Sequence, residues 1–337
     1  DVYKRQTFSG AGIRSRLSGT LTINDSTITG NRTTNQAYGG GLFLQYGDVS
    51  ISGSTLSDNY AEFGGAVYAK GNSNVTVTNS TFTMNSSFAR GGAIYAGYQA
   101  NPTITITGST FTQNTALGIG GATGTGGAVQ FYRGQFTLVN STLSENTADE
   151  NGGAIYYHNG QATIQDSILS GNTAGEYGGG LFVYDGNATI SGSTLSGNSA
   201  DFGGALYAYY NSNLTVIDSV LTNNHANFDG GAIYGGYNDV NEPSNATITI
   251  TGSTLSQNTA GGSGGAIQLR DGSLSLLNST LSGNTADRGA GAYIFDGALD
   301  VRNSTVSGNQ ADSGRGGGLY IDADEIFLTN STISGNT

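Results

Sequence analysis

Side chains that move protons or hold metals are few in this chain and widely separated. The two histidines, His158 and His225, fall in different copies of a repeat and at different positions within it. The lysines are only Lys4 and Lys70, and the arginines are scattered. Glycoside hydrolysis calls for two carboxylates about 5–10 Å apart, one of them with a raised pKa. Cleavage of uronate polymers calls for an Arg or Lys base near several acids. Here the acids sit mostly in turn slots: Asp185, Asp271 and Asp296 each precede a glycine at the same point of the repeat, the placement of a tight turn. The densest acidic spot holds Asp322, Asp324 and Glu325. A weak Ca²⁺ site is the one metal reading there, but hard cations want six or more oxygens, so a solvated acidic turn explains the spot better. No catalytic set is predicted, and no cofactor beyond that weak Ca²⁺.

The residues best spaced for recognition are aromatic. In the motif G-G-A-I-Y the aliphatic residue points inward and the aromatic outward. That outward column reads Phe43, Tyr68, Tyr95, Gln130, Tyr156, Phe182, Tyr207, Tyr234, Gln268, Tyr293 and Tyr320. Its two glutamines predict a solvent-exposed column, because a buried one does not readily accept them. Two residues further on runs a mixed outward column that includes Lys70, Tyr132, His158, Tyr184, Tyr209 and Arg270. Rings repeated every ~4.8 Å offer a platform for sugar rings or for a partner's side chains. The same stacking also stabilises an exposed sheet by cross-strand contact. Tyr68, Tyr95, Tyr156, Tyr207, Tyr234, Tyr132, Tyr184, Tyr209 and, in an insertion, Tyr237 are the candidate binding residues.

The elements that position these side chains follow from repetition. A block S-x-hydrophobic-x-x-N ends at Asn31, Asn59, Asn85, Asn114, Asn146, Asn172, Asn198, Asn224, Asn258, Asn284, Asn309 and Asn336. The cleanest copies are 26 residues apart, as from Asn258 to Asn284. In the copy from Gly264, three runs alternate with period two: Ile267 to Arg270, Leu274 to Leu276 and Ser279 to Ser282. No helical period occurs. The spacing predicts an all-β, right-handed parallel β-helix of about 12 coils, three short strands per coil. Equal spacing stacks equal residues, so the Asn side chains should form a ladder from coil to coil. The paired glycines should sit at tight corners. Residues 7–337 read as one repeat domain, truncated at both ends, and residues 1–6 as a leader foreign to the repeat. The rhythm breaks at Thr115–Thr125, Ala96–Thr103 and Gly235–Asn245, which should protrude as loops.

The copies GGAVY (Gly64–Tyr68) and GGAIY (Gly91–Tyr95, Gly152–Tyr156, Gly230–Tyr234), with FTMN (Phe82–Asn85) and FTQN (Phe111–Asn114), resemble the repeats of the chlamydial polymorphic outer-membrane proteins and related bacterial surface β-helix proteins. The resemblance extends from about Gly10 onward. In that family the repeats form a surface-exposed passenger exported through a C-terminal β-barrel, and several members act in adhesion; the resemblance implies a surface-exposed passenger here, while the export route does not carry over. Two departures favour the broader bacterial surface group: Leu replaces Phe in most copies, and cysteine is absent.

Composition narrows the partners. Twenty-four carboxylates against twelve Lys and Arg leave a net charge of −12, which disfavours nucleic acid and anionic membrane. Without cysteine there is neither a disulfide framework nor a thiolate metal site. No apolar run is long enough for a membrane-spanning helix. The leading expectation is a non-enzymatic adhesin or stalk, extracellular or on a bacterial cell surface, binding glycans or surface molecules of a host or neighbouring cell. The rival is a carbohydrate-active lyase or hydrolase, which a cleft gathering Asp, Glu and Arg beside Gly235–Asn245 would favour. A lesser alternative is ice binding by the Thr/Ser columns of the S-T-L-S-x-N strands, such as Thr110 with Thr112 and Thr280 with Ser282.

Overall fold

A computed structural model of the chain describes residues 5–6, 10–16, 18–33, 37–97, 100–236, 245–323 and 325–337, without the side chains of Arg5 and Gln6. Its described strands pair in parallel, each with its counterpart one repeat away, and no α-helix occurs among the described residues. The fold is therefore the expected parallel β-solenoid of about a dozen coils in three sheets. The chain divides into two compact units: residues 1–163 with 167–175, and residues 164–166 with 176–337.

One coil of the first unit illustrates the path. Val67–Ala69 and Val75–Thr78 both enter the first sheet, Thr81–Thr83 enters the second and Ser86–Arg90 the third. Each coil thus carries four strands where three alternating runs were visible. The first two runs share one sheet, and in two coils of the second unit they fuse into single strands, Ile267–Leu277 and Ala292–Arg302. The third sheet comes from the segment after the ladder Asn, which reads as a turn in sequence because copies such as Thr259–Ala260 are only two residues long. Arg5–Gln6 also contributes here, paired in parallel with Arg32–Thr33.

Alternation fills the interior. Val67, Val75, Val77 and Phe82 are fully buried, and Phe82 stacks on Phe111 of the next coil with centroids 4.5 Å apart. Burying each such side chain contributes about 1.5–3 kcal/mol. The Asn ladder forms as expected. Asn114 Nδ2 donates to Asn146 Oδ1 at 2.9 Å and to the carbonyl of Phe82 at 3.0 Å, while its backbone N–H donates to the same Asn146 Oδ1 at 3.0 Å. Asn224 repeats this pattern in the second unit through Asn258 and Leu195. A parallel ladder of serines runs beside it, with the Ser80 N–H on Ser109 Oγ and the Ser109 N–H on Ser141 Oγ. The residue before each ladder Ser is left-handed, at φ 47° for Asn79 and Asn140 and 58° for Gly108. Asn, Asp and Gly tolerate that region best, which explains their alternation at this slot.

Asp185, Asp271 and Asp296 are left-handed, with φ of 50°, 54° and 56°, but only Asp185 stands at a turn between strands; Asp271 and Asp296 lie inside the continuous strands Ile267–Leu277 and Ala292–Arg302. In the insertion within Thr115–Thr125, a 3₁₀ turn at Ile119–Gly121 leaves Leu117 and Ile119 exposed. Tyr237 and Asp324 lie outside the described residues.

Candidate binding cleft

The site starts from a glycine corner. Gly64 has φ 62°, and a Cβ there would stand 2.2 Å from the carbonyl oxygen of Val67. Only glycine turns the chain this tightly. The corner brings the residue just before it, Phe63, over the ring of the G-G-A-I-Y aromatic. Tyr38, Phe63 and Arg90 hold that preceding position in the first unit, and Tyr177, Phe202 and Asp229 in the second.

This corner overturns the expected exposure of the tyrosine column. Tyr68, Tyr95, Tyr207 and Tyr234 are only 2–5% exposed, and Tyr156, Tyr293 and Tyr320 are half-buried. Their edges are covered by the residue before the glycines, and their faces stack from coil to coil. Tyr68 lies 5.2 Å from Tyr95 with a 14° interplanar angle, and Tyr207 lies 4.8 Å from Tyr234 at 8°. The glutamines do not signal water either. Gln130 is fully buried and accepts a 2.6 Å hydrogen bond at Oε1 from Thr125 Oγ1. Its Nε2 and Gln268 Oε1 are buried with no hydrogen-bond partner.

In the first unit the cover is incomplete, leaving a cleft of about 470 Å³ lined by Tyr38, Phe63, Tyr68, Ala89, Arg90, Tyr95 and the loop residues Gly121 to Thr123. Tyr38 stacks on Tyr68 at 4.9 Å and on Phe63 at 5.2 Å. Arg90 crosses the cleft. Its Nε and Nη2 donate to Thr123 Oγ1 at 3.2 and 3.1 Å, and its Nη1 to the Tyr132 hydroxyl at 3.0 Å. The guanidinium also sits 5.9 Å from the Phe63 ring centroid and 6.0 Å from that of Tyr132. Burial, reinforced by Tyr132 and Tyr68, drives the Tyr95 hydroxyl pKa far above its ordinary value, with Arg90 opposing.

The second unit covers its tyrosine column with rings as well. Tyr177 lies 4.9 Å from Tyr207 and Phe202 5.7 Å from Tyr234, while Phe228 rests on Phe202 and stays half-exposed. Asp229 follows, its Oδ1 accepting the Ser263 N–H at 2.6 Å.

The next column points outward as expected; Lys70 is exposed, and Tyr132, His158, Tyr184, Tyr209 and Arg270 are half-buried. Tyr132 meets Tyr95 edge-on at 6.1 Å and Tyr156 at 6.4 Å, and His158 lies against Tyr132 at 5.7 Å. Tyr184 and Tyr209 stack at 4.8 Å. Asp322 and Glu325 are exposed, and among the described residues no three metal-ligating side chains gather. In the second unit, Asp296 and Glu325 line a shallow depression of about 460 Å³ beside Asn245, without an arginine. Tyr38, Phe63 and Arg90 are the site residues the sequence reading missed. The signal was their constant position one residue before the first glycine.

Comparison with known proteins agrees with this architecture. The sequence profile of the right-handed β-helix region matches residues 3–136, 91–248 and 127–285. No curated protein sequence matches. Among solved structures, the periplasmic alginate epimerase AlgG is similar with a TM-score of 0.60 and 13% identity, over 93% of this chain and 74% of that one. A double mutant of that enzyme matches with a TM-score of 0.46 and 11% identity, over 90% and 77%.

Proposed function

We propose that this chain, which belongs to the right-handed β-helix family, is a non-catalytic glycan-binding protein displayed outside the cytoplasm. One observation carries the reading: the aromatic cleft at Tyr38, Phe63, Tyr68 and Tyr95, with a fixed guanidinium across it. Aromatic rings present apolar faces that the C–H face of a sugar covers well, and hydroxyls on the rim pair with sugar hydroxyls. The cleft lining contains no carboxylate, so the acid–base pair of a hydrolase is missing from it. Its most buried hydroxyl, on Tyr95, has a pKa moved away from the range of a base working near neutrality. Binding without turnover fits these groups. A role as adhesin or stalk towards host or neighbouring cell surfaces is the biological form of this reading. A periplasmic structural neighbour, and the lack of any described helix long and apolar enough to cross a membrane, are compatible with such a location.

Titration of the full chain against a panel of oligosaccharides tests the proposal. Binding to at least one glycan is expected, lost in Ala122→Phe, which fills the cleft while keeping every stacked ring, and weakened in Tyr38→Ala. A chain that binds no glycan, or whose binding survives both changes, overturns it. The depression at Asp296 and Glu325 supports a second reading, a carbohydrate-active enzyme. Release of reducing ends or unsaturated sugars, abolished by Asp296→Asn or Glu325→Gln, would establish that alternative.

A further inference from the structure

We infer that the cleft selects acidic glycans bearing carboxylates, and that Arg90 is the selecting residue; this rests on the glycan-binding reading. The corner does not need a cation there. The same position holds Tyr38 and Phe63 in neighbouring coils, Thr125 and Asn151 in others, and Asp229, Arg288 and Arg315 in the second unit, so the corner accepts neutral and charged side chains alike. Nor does Arg90 arise from general basicity, since carboxylates outnumber Lys and Arg two to one.

The partners of Arg90 point to a ligand. Among the described residues no carboxylate lies within ion-pair distance of it, and the ion pairs present are Arg288 with Asp287 and Arg302 with Asp300. Its contacts are hydroxyls, which orient a guanidinium without neutralising it. Its Nε, Nη1 and Nη2 reach Thr123 and Tyr132, and the guanidinium also hydrogen-bonds the Tyr95 hydroxyl, so its partners are all neutral oxygens. Thr123 comes from the insertion that breaks the repeat rhythm, so the added loop supplies the residue that fixes the guanidinium plane. A half-buried, oriented guanidinium with no carboxylate beside it suits an incoming carboxylate, whose charge it meets through a charge-assisted hydrogen bond. The adjoining Tyr38 and Phe63 rings supply the surface for the sugar that carries the carboxylate. Thr123 acts through Arg90 and is a positioning residue.

The test is calorimetric titration of the full chain with hexuronate oligomers, the same oligomers after reduction of their carboxyls to alcohols, and sulfated neutral oligomers of equal length. Hexuronates are expected to bind roughly 10- to 100-fold more tightly than the carboxyl-reduced series. Arg90→Gln should remove that preference while keeping residual binding to both series. Arg90→Lys should recover only part of it, and Thr123→Val should lower hexuronate affinity without changing affinity for the reduced oligomers. The melting temperature of each variant separates lost recognition from lost fold; where Arg90→Gln fails to fold, Thr123→Val decides the matter. Equal affinity for both series, indifferent to Arg90 and Thr123, overturns the inference and leaves glycan binding intact. Preference for the sulfated series overturns the carboxylate assignment. No binding to any oligomer overturns both readings together.

Discussion

At Asp229 the fold holds a half-buried carboxylate. Burial raises its pKa, opposed in order by the Ser263 N–H, Arg288 and Arg270. A carboxyl whose folded-state pKa is raised adds stability only while protonated. That contribution is present below the unfolded value and is lost as pH rises through the folded one. At neutral pH the ionised group therefore works against folding. Asp229→Asn, which still accepts from Ser263, is expected to raise the melting temperature at pH 7, with the advantage closing as pH falls through the raised folded-state pKa and gone below about 4. Paired thermal melts from pH 7 to pH 3 check this; an advantage that stays constant over the range would refute it. Asp229 was illegible in sequence because its environment comes from Gly262 and Ser263 of the following coil. The ladder asparagines are the contrary case. A buried amide repeated at fixed spacing has few ways to satisfy both its donor and its acceptor, so the sequence alone revealed the arrangement.

The glycine corner decides what the neighbouring strands can present. At Gly127 an added Cβ would stand 2.1 Å from the carbonyl oxygen of Gly153 in the next coil. Gly127→Ala is expected to cost about 2 kcal/mol or more, the upper part of the overpacking range, through separation of two coils. Gly19→Ala meets nothing within 4 Å and should stay within about 0.5 kcal/mol of the parent. Denaturant titration of the two variants distinguishes them, and equal stability would mean that the corner is not tight. Strand direction and inward faces were readable because alternation reports them directly. The fourth strand was not, since two residues such as Thr259 and Ala260 show no period. Ring burial escaped too: period two says that Tyr68 and Tyr95 leave the interior, but not that the corners bring Tyr38 over the first and Phe63 over the second.

Over the whole molecule, stability comes from one contact set repeated from coil to coil. In such an array each unit interacts mainly with its neighbours, and energies add approximately. Within the second unit, removal of residues 259–284 joins Asn258 to Thr285 and leaves Asn258 to bond Asn309 in place of Asn284, through the amide pattern that now links it to Asn284. This shortened chain is expected to fold, to keep its β circular dichroism and to melt close to the parent. Aggregation or a lost melting transition would show that the coils are not equivalent. The cleft obeys a different rule, because it needs Arg90, Thr123 and two flanking aromatics at once, and a shift of one coil separates them.

The ladder thus has a meaning at the level of the gene. Because each amide asks only for another amide one coil away, a recombination event that drops or adds 26 codons in frame can give a product that folds at once. Length in this lineage becomes a trait open to rapid change, while the cleft at Arg90, which depends on particular coils and one insertion, is inherited whole or not at all.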